Sequence, residues 1–547
     1  MPSFFKEKKK TEKNDRQDNA KNHRQAEVPT EPVSPILTKN ISRLKRAVGG
    51  SADVVIREVR TGEQDNLHMA VIYFAGLVDQ KTINESLIEP LVENQSLHHP
   101  HAVEKLLGGT LPLGGVKQEK LWDKLISEFM QGNAVIFIEG CDKALIASTQ
   151  GGKERSIQEP GTQVAFRGPR QGFTESLQTN ISMIRRYIKN PDLWVEKMKI
   201  GSVTHTDVAL MYIHGICEEK VLREVRRRLK KIDIDSVLES GYIEQLIEDE
   251  TFSTFPTIYH TERPDVVAGN LLEGRFAIVV DGTPFVLIAP ALFVQFFQSV
   301  EDYYSRFDIA TSIRVLRILV FFISLVLPAI YVAGTTFHQE MIPTQLLVVI
   351  AAQREVVPFP AVIEALTMEV AFEILREAGV RLPRVVGSAV SIVGALVIGQ
   401  AAVQAGIVSP AMVIIVALTA ISSFATPAFA MAISARLIRF LLIIAAAFMG
   451  FFGLILGILV MTIHLCSLRS FGVPYMSPLA PFSPEGMKDA LFRVPWWADD
   501  KRPEAISELD EKRQPKGERP LPDTARGMIN KELKKGKKGK KGDRDDA

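Results

Sequence analysis

Apolar residues follow different patterns in the two halves of this chain. From residue 311 to about 465 they form long stretches, the first of which is ILVFFISLVLPAIYVAG at Ile318–Gly334. A bilayer core about 30 Å thick needs about 20 mostly apolar residues in a helix. This stretch and three later ones therefore predict an α-helical, polytopic membrane domain over residues 311–466. The later stretches are Val385–Val408, Ala411–Ala430 and Leu437–His464.

In front of this block, shorter alternating and amphipathic patterns predict an α/β domain. Predicted strands are Asp53–Arg60, Leu67–Phe74, Asn133–Gly140, Lys143–Thr149, Thr206–Ile213 and Gly274–Val280. Predicted helices are Thr38–Ala47, Thr82–Asn94, Leu121–Met130, Thr174–Tyr187 and Glu218–Lys231. Because strands and helices alternate, residues 38–283 are expected to form a soluble α/β domain with two lobes that meet near residues 150–175.

Three further segments complete the predicted multidomain organisation. Residues 1–37 form a basic, disordered arm, and residues 467–547 a mostly disordered, basic tail, which is solvated or contacts anionic membrane lipid. The apolar run Pro284–Gln298 has 15 residues and two prolines, which is short for a span. Residues 284–310 are therefore expected to be an interfacial or re-entrant coupling segment, with a buried core helix as the alternative.

The cysteines, the N-terminus and the arginines near the first span indicate the cellular compartment of the soluble domain. The three cysteines have no metal-ligand spacing and fit a reducing environment. The N-terminus shows no apolar signal-peptide region, so the soluble domain is expected to face the cytoplasm. Arg306, Arg314 and Arg317, just before the first span, agree with this orientation. Arginines flanking the later apolar stretches should also lie on the cytoplasmic side, and this requirement leaves four spans and five spans as alternatives.

The stretch Ala361–Ala378 contains acidic residues within an apolar surrounding. Glu369, Glu373 and Glu377 are spaced by four residues and would form one stripe on a helix, with Glu364 roughly 140° away from Glu369. Carboxylates at membrane depth are costly unless they are paired or face water. These four residues are therefore candidates for lining or gating a cation path.

An interfacial, self-paired helix is the alternative for the same stretch. Arg376 lies three residues after Glu373, and Arg381 four residues after Glu377. Both spacings permit ion pairs on one helix face. Such pairing explains the acidic residues without any pore.

Two other patterns suggest contacts. RGPR places Arg167 and Arg170 beside a turn. They are expected to clamp this turn through salt bridges to acids such as Glu159 or Glu175, or to bind an anion or a carboxylate of the other lobe or of a partner. Small residues at four-residue spacing predict close helix packing within or between subunits. They include Ala395, Gly399, Gly453 and Gly457.

No catalytic motif is present in the sequence, so an enzyme is not expected. The HHPH cluster at residues 98–101 has no further ligands nearby in sequence, and a polar loop is preferred to a metal site. No cofactor, metal or nucleic-acid partner is expected.

Long blocks of the chain resemble the GerA-type spore germination receptor A subunits, a family that includes the SpoVAF proteins. They are EPGTQVAFRGPRQGF (Glu159–Phe173), Thr261–Pro290, Pro358–Arg384, Ser388–Pro410 and VPYMSPLAPF (Val473–Phe482). The resemblance covers roughly residues 40–500. The family often has acidic residues where this chain has Gln163 and Gln171, which would weaken any contact that needs a charge there.

The resemblance implies a nutrient germinant receptor in the inner membrane of the endospore. The A subunit would act with a permease-like B subunit and a lipoprotein C subunit, and would form a homo-oligomer around an ion-release path. It also implies that both tails lie in the cytoplasm. The alternatives are a SpoVAF-like accessory subunit of the dipicolinate release machinery and a non-conducting scaffold for receptor assembly.

Overall fold

The computed structural model gives the architecture for most of the chain. It describes residues 31–61, 67–93, 103, 106–107, 111–151, 159–161, 163, 165–382, 394, 397–507, 510 and 512–515. Most of the predicted N-terminal arm, and the end of the basic tail, lie outside these residues.

The first lobe is a five-stranded antiparallel sheet in the order β1-β2-β4-β5-β3. Its strands are β1 (Val54–Thr61), β2 (Leu67–Phe74), β3 (Val116–Glu119), β4 (Ala134–Ile138) and β5 (Ala144–Ala147). Its helices are Leu37–Ala47, Thr82–Ile88 (π-helical), Glu89–Glu93 and Trp122–Met130. Apolar residues of both sheet faces are buried, which explains why β2, β4 and β5 are nearly continuous apolar runs.

The second lobe repeats the same strand order, β6-β7-β9-β10-β8. Its strands are β6 (Leu193–Ile200), β7 (Thr206–Ile213), β8 (Tyr259–Thr261), β9 (Phe276–Val280) and β10 (Val286–Ala289). Its helices are Leu177–Tyr187, Glu219–Lys231, Ser240–Ile247 and Pro264–Leu272. The prediction of an α/β domain with two lobes is confirmed.

An internal repeat, which the sequence analysis missed, accompanies this duplication. The first helix of each lobe begins with the same pattern, LTKNIS at residues 37–42 and LQTNIS at residues 177–182. The Asn40 amide is bonded in both directions to the backbone of Ser34, at 3.0 and 2.6 Å. The Asn180 amide is bonded in the same way to Thr174, at 2.8 and 2.6 Å.

A buried ion pair joins the lobes. Arg185, on the first helix of the second lobe, is bonded to Asp53 of the first lobe, with an Nη2–Oδ1 distance of 2.9 Å. Both side chains are 1% exposed. The same guanidinium bonds the Ser51 hydroxyl at 2.9 Å and lies over the Phe74 ring. The two lobes are therefore fixed relative to each other by direct contacts, and not only by the linker between them.

The remaining described chain is mainly helical. Two of its helices are long and apolar enough to cross a membrane: the first membrane helix, Phe307–Thr336, and Phe429–Ser467. The predicted stretch Ala411–Ala430 forms a shorter helix, Pro410–Phe424. Of the predicted stretch Val385–Val408, residues 394 and 397–408 are described, and residues 397–404 are helical. Further helices are Glu301–Tyr304, Thr344–Arg354, Ala361–Arg381 and Met487–Ala490, with short 3-10 turns at Phe293–Phe297, Gln339–Met341 and Trp496–Ala498.

The helix Phe429–Ser467 is broken at Gly450, where φ is 59° and ψ is −141°. This conformation favours glycine. Beyond it, Gly453 lies against the carbonyl of Ala445, and Gly457 against Leu442. Residues eight apart in a straight helix would be separated by about 12 Å. The two legs, residues 429–449 and 451–467, therefore run antiparallel and form a helical hairpin.

Both open ends of the helical hairpin contact one loop of the second lobe. The Ser434 hydroxyl donates to the backbone carbonyl of Thr254. His464 Nε2 lies 2.9 Å from the Ser253 hydroxyl. The first membrane helix packs along the hairpin, and its end at Phe337 lies beside Gly450. The chain thus returns to the side of the soluble domain after residue 467.

Residues 284–310 were expected to be an interfacial or re-entrant coupling segment, and this expectation is wrong for the first residues of the range. Val286–Ala289 is buried strand β10, which pairs with β9 on one side and β8 on the other. Its apolar run arises because a central strand is covered on both faces, a pattern that resembles a membrane-seeking segment in sequence. After it, Phe293–Phe297 is a 3-10 turn and Glu301–Tyr304 a short helix that leads into the first membrane helix.

The expectation of a mostly disordered tail after residue 466 is wrong for the C-terminal segment, residues 468–507. This segment forms strands β11 (Arg469–Ser470) and β12 (Val473–Pro474) and packs on the second lobe. Tyr475 is fully buried, and its carbonyl accepts from the Phe293 N–H at 2.9 Å. The sequence of this segment does not predict the packing, because its apolar residues are scattered among polar ones. They contact a lobe that is distant in sequence.

Candidate ion path and its charged partners

The acidic helix, Ala361–Arg381, begins directly after Pro360 and is about 31 Å long. Ala361, Ala365 and Met368 are buried on one side of it. It packs against Pro410–Phe424, the first membrane helix and the helical hairpin. This packing decides which of its four carboxylates are enclosed by protein and which are exposed.

Glu364 is enclosed near the start of the acidic helix. Its residue is 1% exposed, and one carboxylate oxygen accepts from the Ser409 N–H at 2.8 Å. Arg354 Nε lies 3.5 Å from the other oxygen. Glu364 therefore ties the acidic helix to the start of Pro410–Phe424, and it is off the stripe, as the spacing predicts.

Glu369 is also enclosed, and its partner is on the helical hairpin. Arg439 Nη1 lies 2.6 Å from its carboxylate, and the two side chains are 5% and 4% exposed. A buried charge of this kind costs several kcal/mol unless it is paired. Glu369 thus serves as an interhelical contact in the single chain.

Glu373 and Glu377 are exposed and lie further along the acidic helix. Glu373 pairs with Arg376 and lies 3.2 Å from Arg436 of the helical hairpin, while its side chain remains 47% exposed. Glu377 pairs with Arg381 at 2.6 Å, and both side chains are exposed. The self-pairing expected from the spacings is present, and two carboxylates still face outward.

Sequence reasoning missed the partners of the stripe. Arg436 and Arg439 lie three residues apart on one face of an apolar helix. Two arginines in an apolar helix are a signal for buried carboxylates elsewhere, because an unpaired charge there is costly.

The RGPR loop is bound to the second lobe through a residue outside the motif. Arg263, which is 4% exposed, donates to the carbonyls of Gln163 and Pro169 at 3.2 and 3.0 Å. Arg170 lies 3.4 Å from Glu159, and both are exposed. Arg167 is exposed as well. The predicted pair with Glu159 is present, although solvent weakens it.

Of the small residues predicted at helix contacts, three are described. Gly399 lies against Val413 of Pro410–Phe424, in contact with a neighbouring helix of the same chain. Gly453 and Gly457 lie between the legs of the helical hairpin. Ala395 lies outside the described residues, as do His98, His99 and His101. Within the described part of the chain, no group of three His, Cys, Asp or Glu is placed to hold a metal ion.

A buried ionic cluster joins the base of the first membrane helix to the C-terminal segment. Arg314 is fully buried between Asp302, at 3.3 Å, and Asp489, at 3.2 Å. Arg317 bonds Asp302 at 2.8 Å. Burial raises the pKa of Asp489, although Arg314 opposes the shift. Burial, with Asp489 nearby, raises the pKa of Tyr303 well above its usual value. The cluster therefore fixes the position of the first membrane helix, along its own axis, relative to the C-terminal segment.

Comparison with known proteins identifies relatives over most of the chain. The model of the Bacillus/Clostridium GerA spore germination protein family matches residues 42–505. Spore germination protein KA of Bacillus subtilis (strain 168) is 80% identical over 504 residues, which cover 92% of this chain and 93% of that protein. Spore germination protein A1 of the same organism is 42% identical, covering 78% and 87%.

One solved structure is also similar. The crystal structure of the N-terminal domain of the A subunit of the Bacillus megaterium spore germinant receptor GerK3 is 48% identical in sequence, with a TM-score of 0.40. The match covers 49% of this chain and 99% of that one. The family matches confirm the resemblance seen in the sequence blocks. The chain belongs to the GerA family of spore germination proteins.

Proposed function

We propose that this chain is the A subunit of a nutrient germinant receptor in the endospore inner membrane. The observation that carries the proposal is the 80% identity to a spore germination protein over nearly the whole chain. The apolar helices support a membrane location. The soluble domain faces the cytoplasm, that is, the spore core, and the partners are a permease-like B subunit and a lipoprotein C subunit.

The proposed activity is to form or gate an ion-release path as a homo-oligomer. Glu373 and Glu377 support it, because they remain exposed on a helix whose other side packs against the first membrane helix and the helical hairpin. Copies arranged around an axis would bring these carboxylates together, where they attract cations. Glu364 and Glu369, which are enclosed and paired, would instead hold the acidic helix in place.

The test is the substitution of each carboxylate by glutamine in the assembled receptor. A charge about 6 Å from a watery path contributes about 0.7 kcal/mol, roughly a threefold change in local cation concentration. Glu377→Gln should therefore reduce cation selectivity about threefold with normal assembly. Glu373→Gln should reduce selectivity by a similar factor and should also lower the assembled amount, because Arg436, which is 9% exposed, loses its carboxylate. Glu369→Gln should mainly reduce the assembled amount, because Arg439 loses its buried partner.

Ion selectivity and assembled amount should be measured side by side, with the exposed Glu355→Gln as the matched control. Unchanged selectivity in both Glu373→Gln and Glu377→Gln would reject the ion path and leave the scaffold alternative. Genes for a permease-like protein and a lipoprotein next to this one would distinguish the receptor subunit from a SpoVAF-like accessory subunit.

A further inference from the structure

A cavity of about 650 Å³ lies between the second lobe and the membrane domain. Tyr259 and His260, on strand β8, contribute to its soluble wall. Arg376 and Arg436 contribute to its membrane wall. Its volume is that of a small-molecule site, and its lining combines aromatic rings with a few polar groups.

The first leg of the helical hairpin begins in this cavity. Phe429 and Ala430 line it, and Ala428 before them has no side-chain group that could accept from their N–H groups. The first turn of the leg carries no acidic residue. An uncapped helix start presents free N–H donors and the positive end of the helix dipole, which together favour an anion.

The arginines around the cavity exceed their carboxylate partners. Arg376 and Arg436 share the single carboxylate of Glu373. Two guanidinium groups of the lining thus face one carboxylate. Because Arg436 is only 9% exposed, the surplus charge is poorly solvated, and an anion beside it would be stabilising.

We propose that this cavity binds a phosphate group, held by the N–H groups of Phe429 and Ala430 and by the guanidiniums of Arg376 and Arg436. Guanidinium forks and helix starts both match phosphate oxygens. At the junction of soluble and membrane domains, the phosphate comes from an anionic phospholipid headgroup or from free phosphate. This inference goes beyond the proposed function and does not rest on the ion path.

Two variants test the site in different ways. Arg436→Gln removes one guanidinium from the cavity. Ala428→Asp places a carboxylate where it can cap the helix itself; the extended backbone of Ala428, with φ −88° and ψ 114°, suits a capping residue. The cap offsets the cost of placing a carboxylate at a position that is 7% exposed, and thermal unfolding without either probe checks that this variant is folded. Arg306→Gln is the control, an exposed arginine beside the first membrane helix.

The experiment uses the full chain in lipid nanodiscs and in neutral detergent. The probes are phosphatidylglycerol mixed into phosphatidylcholine nanodiscs, and inorganic phosphate in detergent. Native mass spectrometry measures retained lipid, and thermal unfolding measures stabilisation by either probe. We expect binding by the wild type and Arg306→Gln, and binding at least about tenfold weaker in Arg436→Gln and Ala428→Asp.

The two probes distinguish the sources of the phosphate. An effect of phosphatidylglycerol alone supports the lipid headgroup, and an effect of inorganic phosphate supports the free anion. The proposal is overturned if neither probe binds the wild type. It is equally overturned if Ala428→Asp and Arg436→Gln bind like the wild type, or if Arg306→Gln loses as much binding as they do.

Discussion

The two lobes of the soluble domain have one strand order and one helix-start motif, yet their surroundings differ. The first lobe packs on the second through the buried pair of Arg185 and Asp53. The second lobe also carries the C-terminal segment and the open ends of the helical hairpin. A duplicated unit has therefore kept its internal scaffold in both copies, while one copy supplies the described attachment to the membrane domain.

The largest expected effect comes from separating the lobes. Arg185→Ala leaves Asp53 buried without its partner, which should cost about 3–5 kcal/mol. Hydrogen exchange should rise at residues 51–54 and 193–195, where the lobes meet, and less in the helical hairpin. Asp53→Ala should have a similar effect, and the double variant should cost less than the sum.

Arg227→Ala is the matched control for that experiment. Arg227 is an exposed arginine whose partner, Glu224, lies on the same helix. Its loss should change stability by less than about 1 kcal/mol. If Arg185→Ala had no larger effect than this control, the buried pair would not be what holds the lobes together.

A pair of substitutions with an intermediate expected effect tests whether the repeated helix-start motif stabilises both lobes equally. Asn40→Ala and Asn180→Ala each remove an amide that bonds a loop backbone in both directions. Each should cost about 2 kcal/mol, because two partly buried backbone groups lose their partner. Local hydrogen exchange in each lobe measures the two costs separately. Costs that differ by more than about 1 kcal/mol would show that the surroundings, rather than the repeated motif, set local stability.

The smallest expected effect is a pH dependence within the second lobe, because solvent reaches the Glu244 side chain, which is 24% exposed, and screens its interactions. Burial, with Glu248 and Glu239 nearby, raises the pKa of Glu244 to about 7, and His260 lies 3.9 Å away. A carboxyl with a raised folded-state pKa favours folding most below its unfolded value of about 4.5. That contribution is lost as the pH rises towards 7 and through it.

Glu244→Gln is the variant for this pH test. Because glutamine stays neutral, the stability difference between wild type and variant should change between about pH 4.5 and 7 and level off outside that window. Thermal unfolding across this range measures it. The same pH dependence in both proteins would place the titration elsewhere.

Much of the soluble fold could be predicted from the sequence, because its signals are local. The hairpin of β4 and β5 shows in two apolar runs separated by a short polar link, and Glu219–Lys231 shows in its helical charge pattern. Strand β10 was misjudged, since a strand covered on both faces looks like a membrane segment. The duplication was missed because only a few residues, such as Asn40 and Asn180, repeat.

The candidate ion path was predicted only in part. Helical spacing was enough to find the acidic stripe and its pairs with Arg376 and Arg381. Which carboxylates are enclosed depends on Arg439, Arg354 and Ser409, whose positions follow from packing between helices distant in sequence. The fold-back at Gly450 could not be read from apolarity either, because the run of apolar residues continues through Gly450 from one leg into the other.

The fold-back at Gly450 has a mechanical consequence. Since both legs of the helical hairpin are bonded at their open ends to Ser253 and Thr254, the loop grips them together. A displacement of this loop would therefore be transmitted to both legs at once. The closed end of the hairpin, Gly450, lies beside the end of the first membrane helix, so the two legs connect the loop of the second lobe with that helix end.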